Sequence, residues 1–231
     1  MKAIVVLGFV GLTLAAPSIA SASSISFVGE GKVDVVSIHS PGLGDLTVYA
    51  GELNWSWIGP PPNGLPADFY SYCVDVNNWV RNTQDVTRLS TDVLLTGAVD
   101  AGPKAAWLVN TYAPQIHSDP FKTGIDAAAL QVAIWEILYD SSPDLFTGNF
   151  FLRSTLPTAD VVIKANALLS SLFYLPGDFS TYRTSETHWL DAPLRLGQDQ
   201  IVPNPEPGSM ILFGSGLVAL ARFVRRRRRV R

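Results

Sequence analysis

The sequence predicts an α+β protein in which an antiparallel β-sandwich or barrel carries an inserted helical subdomain. Up to about residue 75, apolar and polar residues alternate and β-branched and aromatic side chains are frequent, a pattern typical of strands. Between about residues 103 and 172, apolar residues recur at helical spacing, and alternation then returns at 179–190. This order, with strands first, helices in the middle and a strand last, favours that fold class.

The first strands follow from the alternating pattern and the turn residues between them. Predicted strands occupy residues 24–27, 32–38, 46–57 and 69–75. Gly42 and Gly44 indicate a turn, because glycine accepts the backbone conformations that tight turns require. Four prolines within residues 59–66 remove backbone donors and predict a loop that leads into the strand containing Cys73.

Three helices are predicted after this region, at residues 105–112, 127–139 and 159–172. Pro103 suits the first turn of the first helix, and Pro114 predicts its end. Residues 77–91 lack a regular pattern and are not assigned to a strand. The final strand is expected within residues 179–190.

The N-terminus has the order of a secretory signal peptide. Lys2 precedes an apolar run, and the small residues Ala20, Ser21 and Ala22 follow. The run is too short and too near the terminus to predict a membrane span. We therefore expect a signal peptide at residues 1–22, cleaved after Ala22, and a globular domain at 23–200.

The C-terminal segment, residues 201–231, carries a second sorting pattern. Pro205, Glu206 and Pro207 precede an apolar run and then an arginine cluster, which should stay in the cytoplasm. This order resembles the PEP-CTERM sorting signal of Gram-negative bacteria. The resemblance implies export, transient anchoring of the tail in the inner membrane, processing by an exosortase and an association with an exopolysaccharide matrix. An ordinary membrane anchor is the alternative.

The charge of the exported part excludes several classes of partner. Residues 23–207 contain nine Lys and Arg against twenty Asp and Glu, a net charge of −11. Such a surface disfavours nucleic acids and anionic lipids. The histidines His39, His117 and His188 are scattered without ligand spacing, so neither a metal nor a cofactor is predicted.

Gln131 is the polar residue that the helical spacing turns inward. In the helix at 127–139 it shares a stripe with Ala127, Ile134, Trp135 and Leu138. A buried primary amide costs about 1–3 kcal/mol unless its donors and its acceptor are paired. A hydrogen-bonded core glutamine is one explanation for its position.

Cys73 is the only cysteine of the chain and lies in the aromatic run Phe69–Asp75. An exported chain offers it no intramolecular disulfide partner, so it must be buried, paired with another molecule or chemically occupied. A buried, inert cysteine is the general expectation.

Taken together, the Cys73 strand and the segment from Leu130 to Trp135 resemble the thioester domains of bacterial surface adhesins. In that family a cysteine and a glutamine condense into an internal thioester with loss of ammonia. The resemblance implies that Cys73 supplies the sulfur and that Gln131, 58 residues later, supplies the acyl group. Tyr72 and Trp135, as apolar neighbours of the pair, are expected to shield the bond from water. Asp75 and Glu136 are candidate proton acceptors by proximity in sequence, with solvated or capping carboxylates as the alternative.

Two functions of different class follow. The first is a non-enzymatic cell-surface or matrix protein whose thioester attaches covalently to an amine or hydroxyl of a target, in adhesion or in cross-linking of an exopolysaccharide matrix. The second is a passive secreted matrix protein in which Cys73 and Gln131 are core residues.

Overall fold

The computed structural model describes residues 22–62, 65–91, 100–141, 144–153, 158–173, 187–193 and 196–203. The predicted signal peptide before Ala22 and the sorting residues Pro205, Glu206 and Pro207 lie outside the described residues. The described ranges contain the elements β1 Ala22–Ser40, β2 Gly44–Ile58, β3 Asp68–Cys73, β4 Thr83–Ser90, α1 Ala101–Ser118, α2 Gly124–Tyr139, β5 Phe151–Leu152, α3 Ala159–Phe173, β6 His188–Asp191 and β7 Gln200–Val202. Of these helices, none combines the length and apolarity needed to cross a bilayer.

The strands form an antiparallel sheet in the order β2-β3-β7-β6-β4-β1-β5, and β2 also pairs with β1. The additional pairing closes β1, β2, β3, β7, β6 and β4 into a ring, to which β5 is attached through β1. The helices come between β4 and β6 in the chain. The predicted α+β class with an antiparallel sheet is confirmed.

β1 joins two segments that the sequence pattern separates. The predicted strands at 24–27 and 32–38 are parts of one strand, whose register with β2 shifts between Phe27 and Gly29 and again between Glu30 and Val33. Extra residues at such bulges shift the alternation of faces and increase the local twist. The interruption in the sequence pattern therefore marks irregular pairing within one strand.

Two further elements differ from the sequence predictions. Residues 83–90 form β4, which pairs with both β1 and β6 and buries Gln84 and Val86. α1 continues through Pro114 to Ser118. Proline removes one helical hydrogen bond, and burial of Ala113 and Ile116 around it compensates for that loss. The prediction that the helix ends before Pro114 is wrong for this reason.

The end of the sheet lies close to the predicted domain boundary. The described part of the last predicted strand is β6, and residues 174–186 lie outside the described residues. β7 pairs with both β3 and β6 and reaches Val202, so the sheet continues past the boundary predicted at residue 200.

α2 is the central element of the larger hydrophobic core. Every residue from Asp126 to Leu138 is buried, because the helix packs against β1, β2, α1 and α3. The predicted amphipathic stripe is therefore wrong in one respect, since all sides of the helix face protein. A smaller core cluster contains Ile25, Leu53, Trp55, Trp57, Leu65, Phe69, Val86, Leu190, Ala192 and Val202.

Two glycines allow α2 to approach the sheet closely. A Cβ atom on Gly124 would lie 1.9 Å from the carbonyl oxygen of Val33, and one on Gly51 would lie 3.2 Å from the Cβ atom of Ala127 in α2. Gly51 also has a φ of +137°, which L-residues rarely adopt. The Asp126 carboxylate accepts the Thr123 N–H at 2.9 Å and thereby caps the first turn. The N-terminus of α2 is consequently fixed against the irregular part of β1.

Candidate functional site

Gln131 and Cys73 lie side by side in the core. The side-chain oxygen of Gln131 accepts the backbone N–H of Cys73 at 2.9 Å, and its amide nitrogen donates to the Cys73 carbonyl at 2.7 Å. Gln131 is 1% exposed and Cys73 is 3% exposed. The structure thus brings together the two residues that the sequence singled out, through the carboxamide of one and the backbone of the other.

The strand geometry explains why the Cys73 backbone is available to a side chain. The Val74 N–H bonds to Asp199 on the β7 side, so the N–H and C=O of Cys73 point the opposite way, since backbone polar groups alternate along a strand. On that side the register between β2 and β3 ends at Leu53 and Ser71. Gln131 takes the position that a continued β2 would occupy.

The Cys73 thiol is held in its neutral form. Burial raises the pKa of the thiol well above its usual value, and the Asp75 carboxylate adds to the rise. The Trp135 indole N–H and a backbone contact of Asp75 act in the opposite direction without outweighing burial. The sulfur donates to the Asp75 carbonyl oxygen at 3.1 Å. A reaction at this sulfur therefore requires removal of its proton.

A cavity of about 320 Å³ adjoins the pair. Cys73, Gln131 and Trp135 line it, together with apolar side chains of β1 and β2 and residues that follow β3. Tyr49 and Trp79 in its lining are 64% and 53% exposed. The cavity therefore leads from solvent to two residues that are themselves almost completely buried.

The two residues predicted to shield a thioester lie in different surroundings. Trp135 lines the cavity and packs against Phe150, with ring centroids 5.7 Å apart. Tyr72 is fully buried, and its hydroxyl donates to Glu52 at 3.4 Å. Because neighbouring residues of a strand point to opposite faces, the Tyr72 ring faces away from the side chain of Cys73.

The two candidate proton acceptors, Asp75 and Glu136, lie in different places relative to the Cys73 thiol. Asp75 lies beside the thiol, although its carboxylate accepts the Asn77 N–H at 2.8 Å and a further bond from Asn78. Glu136 is fully buried, and its Oε1 accepts the Asp144 N–H at 2.7 Å. Five residues after Gln131, it points from another face of α2, since helical neighbours are three or four residues apart.

Asp199 is a neighbour of the thiol that the sequence did not indicate. Burial raises the pKa of the Asp199 carboxyl group to about 7, although a hydrogen bond from the Ala192 N–H at 2.9 Å lowers it in part. Its charge raises the pKa of Cys73. A carboxyl group that changes protonation near neutral pH is suited to proton transfer. β7, which brings it here, spans only Gln200–Val202, too short to give a recognisable pattern.

We expect Glu136→Gln to stabilise the protein at neutral pH. Burial raises the pKa of Glu136 from 4.5 to about 7. Because Glu136 loses its proton at a lower pH in the unfolded chain than in the folded protein, its ionisation lowers the free energy of unfolding. This loss of stability is absent below pH 4.5, grows up to about pH 7 and is constant above. Removing it should raise the free energy of unfolding by about 1–3 kcal/mol at pH 8. Urea unfolding at about pH 4 and pH 8 measures the difference.

The control for this change is Glu30→Gln, because Glu30 is exposed and should alter stability little. A gain from Glu136→Gln that was equal at both pH values would contradict the assignment, since only a titrating carboxylate produces the difference.

Within the described residues, no group of three or more His, Cys, Asp or Glu side chains is arranged to hold a metal ion.

The comparisons with known proteins give a match in the C-terminal tail. No curated protein and no solved structure gives a significant match to the chain. The family model for the PEP-CTERM protein-sorting motif matches residues 205–229. The chain therefore carries a PEP-CTERM sorting motif, which marks a protein exported and sorted to the cell envelope or surface and implies processing by an exosortase.

Proposed function

We propose that the exported domain is a covalent surface adhesin or matrix cross-linker whose Cys73 and Gln131 condense into an internal thioester. One observation carries the proposal: the Gln131 carboxamide lies against the Cys73 backbone, within 2.9 Å, next to a cavity that leads to solvent. Holding the carboxamide beside the residue that bears the thiol favours an intramolecular reaction, because little translational or rotational entropy is then lost on the way to it.

The condensation is balanced without a cofactor. Sγ of Cys73 adds to the carboxamide carbon of Gln131, the C–N bond breaks, and the thiol proton leaves with the amide nitrogen as ammonia. Asp75 and Asp199 are the candidate proton carriers, because each lies near enough to the sulfur to raise its pKa. Burial of both reacting residues would then protect the acyl–sulfur bond from water.

A target nucleophile completes the proposed sequence of reactions. An amine or hydroxyl that enters the cavity attacks the acyl carbon of Gln131, forms an amide or ester with it and releases the Cys73 thiol. Each molecule reacts once, so the domain acts as a covalent linker and not as an enzyme. The sorting motif supports a place of action at the cell surface or in an exopolysaccharide matrix.

A passive matrix protein is the second candidate. The observation that favours it is the completeness of the pairing, because the intact carboxamide satisfies both backbone groups of Cys73. A buried glutamine with this role needs no reaction to explain its presence.

Intact mass of the purified full chain tests the proposal. We expect the wild type to lack the mass of one ammonia, and Cys73→Ala to have its full calculated mass. Methylamine should add one molecule to the wild type, at Gln131, because it attacks the acyl carbon, and should leave Cys73→Ala unchanged. Peptide mass mapping checks the position.

Peptide mapping also identifies a thioester that has already hydrolysed, since hydrolysis converts Gln131 into glutamate. A full calculated mass together with an intact glutamine at position 131 and a free thiol would favour the passive protein.

A further inference from the structure

The indole N–H of Trp135 is buried without a hydrogen bond of normal geometry among the described residues. The side chain of Trp135 is 3% exposed. Buried indole N–H groups usually find an acceptor. The ring is held in place by its contact with Phe150. The indole N–H can therefore donate a hydrogen bond to a new acceptor without rearrangement of the ring.

The position of Trp135 places its indole beside the reacting pair. It follows Gln131 by one helical turn, so both side chains lie on the same face of α2, and both line the cavity together with Cys73. The N–H lies close enough to the sulfur to lower the thiol pKa, against the larger effect of burial. The sulfur itself donates its proton to the Asp75 carbonyl while it remains a thiol.

We propose that the Trp135 indole N–H is the catalytic hydrogen-bond donor that stabilises negative charge on the Cys73 sulfur. The proposal rests on the proposed thioester and assigns a donor to it. The neutral thiol is a weak acceptor and the thiolate a strong one. The N–H therefore contributes little to the resting state and most where charge develops, as efficient catalysis requires.

The same contact serves both directions of the chemistry. During condensation the thiolate attacks the Gln131 carbonyl carbon and ammonia leaves. During capture of a target amine, the amine attacks that carbon, the C–S bond breaks with its electron pair on sulfur, and the sulfur later takes the proton that the amine loses. In each case the negatively charged sulfur accepts a hydrogen bond from the Trp135 indole N–H.

The first test compares Trp135→Phe with Trp57→Phe in the full chain. Both indoles are buried, neither N–H makes a hydrogen bond of normal geometry within the described part of the chain, and both pack against a phenylalanine ring, but Trp57 belongs to the smaller core cluster. We expect Trp135→Phe to slow both thioester formation and reaction with methylamine by about 10- to 100-fold, the usual effect of a hydrogen bond to a charged group. Time-resolved intact mass measures both rates. Wild-type rates in Trp135→Phe, or an equal loss in Trp57→Phe, would overturn the proposal.

A second test does not depend on a thioester. In Gln131→Ala, Cys73 cannot condense, so its thiolate fraction at a fixed pH can be followed through its rate of alkylation by iodoacetamide, measured by intact mass. Adding Trp135→Phe should lower this rate by about 3- to 10-fold, because a 10- to 100-fold smaller thiolate fraction is partly offset by the higher nucleophilicity of a less stabilised thiolate, whereas adding Trp57→Phe should not. An unchanged rate overturns the role of Trp135. A wild type without a thioester overturns the proposed function instead, and the alkylation rate still decides on the indole.

Replacing Trp135 by β-(3-benzothienyl)alanine covers the case in which Trp135→Phe does not fold. This residue keeps the shape of the indole and replaces its N–H by sulfur. The same decrease in rate is expected, and unchanged rates in the folded protein would contradict the proposal.

Discussion

Gln131→Ala should abolish condensation, and in the Cys73→Ala background, where the carboxamide cannot be consumed, it should lower the free energy of unfolding by about 2–4 kcal/mol. There the change removes two buried hydrogen bonds and leaves the backbone N–H and C=O at position 73 without their side-chain partner. Unsatisfied buried groups lose their full interaction with water, at about 1–3 kcal/mol each. Denaturant unfolding measures the loss of stability, and intact mass measures the loss of condensation.

Gln84→Ala is the matched control. Gln84 is 3% exposed, and its amide pairs with the backbone N–H and C=O of Gln198 in the same two-way manner. We expect a similar loss of stability with condensation retained. If Gln131→Ala caused no loss of stability in the Cys73→Ala background, the amide–backbone pairing would not be what holds α2 against β3. If Gln84→Ala also failed to condense, general destabilisation would explain both results.

Local patterns were sufficient to single out the two residues that the structure brings together. The Cys73 strand has alternating aromatic residues, and Gln131 occupies an apolar position of a helix that runs to Tyr139. What the pattern could not provide is the reason for the inward glutamine. That reason is the end of the β2–β3 register beside Ser71, which depends on pairing between distant segments. The sequence also could not distinguish one buried face of α2 from burial on all sides, because its alanines fit either environment.

The candidate proton acceptors illustrate the same limit. Proximity in sequence suggested Asp75 and Glu136, yet helical rotation turns Glu136 towards Asp144. Asp199 reaches the site through β7. Its approach depends on the closure of the sheet, which no local pattern encodes. Residues that a sheet brings together are therefore predicted less well than those that share one helix.

The second large loss of stability is expected at a glycine, which has no reactive side chain. Gly124→Ala should lower the free energy of unfolding by about 3 kcal/mol and prevent condensation in the molecules that remain folded. The added Cβ would lie 1.9 Å from the Val33 carbonyl oxygen, a backbone atom that can move only if β1 or α2 moves. Because α2 carries Gln131 as a rigid body, its displacement separates the carboxamide from Cys73. Thermal unfolding and intact mass measure the two effects.

Gly59→Ala separates this steric effect from a general cost of replacing glycine. Gly59 has a φ of +94° and no neighbouring atom within 4 Å of its added Cβ, so the variant should lose only about 1 kcal/mol from backbone strain and should condense normally. A Gly124→Ala protein that still lost one ammonia at the wild-type rate would mean that the N-terminus of α2 does not set the position of Gln131. The alignment of the pair would then have to come from the C-terminal half of the helix, where Trp135 packs against Phe150.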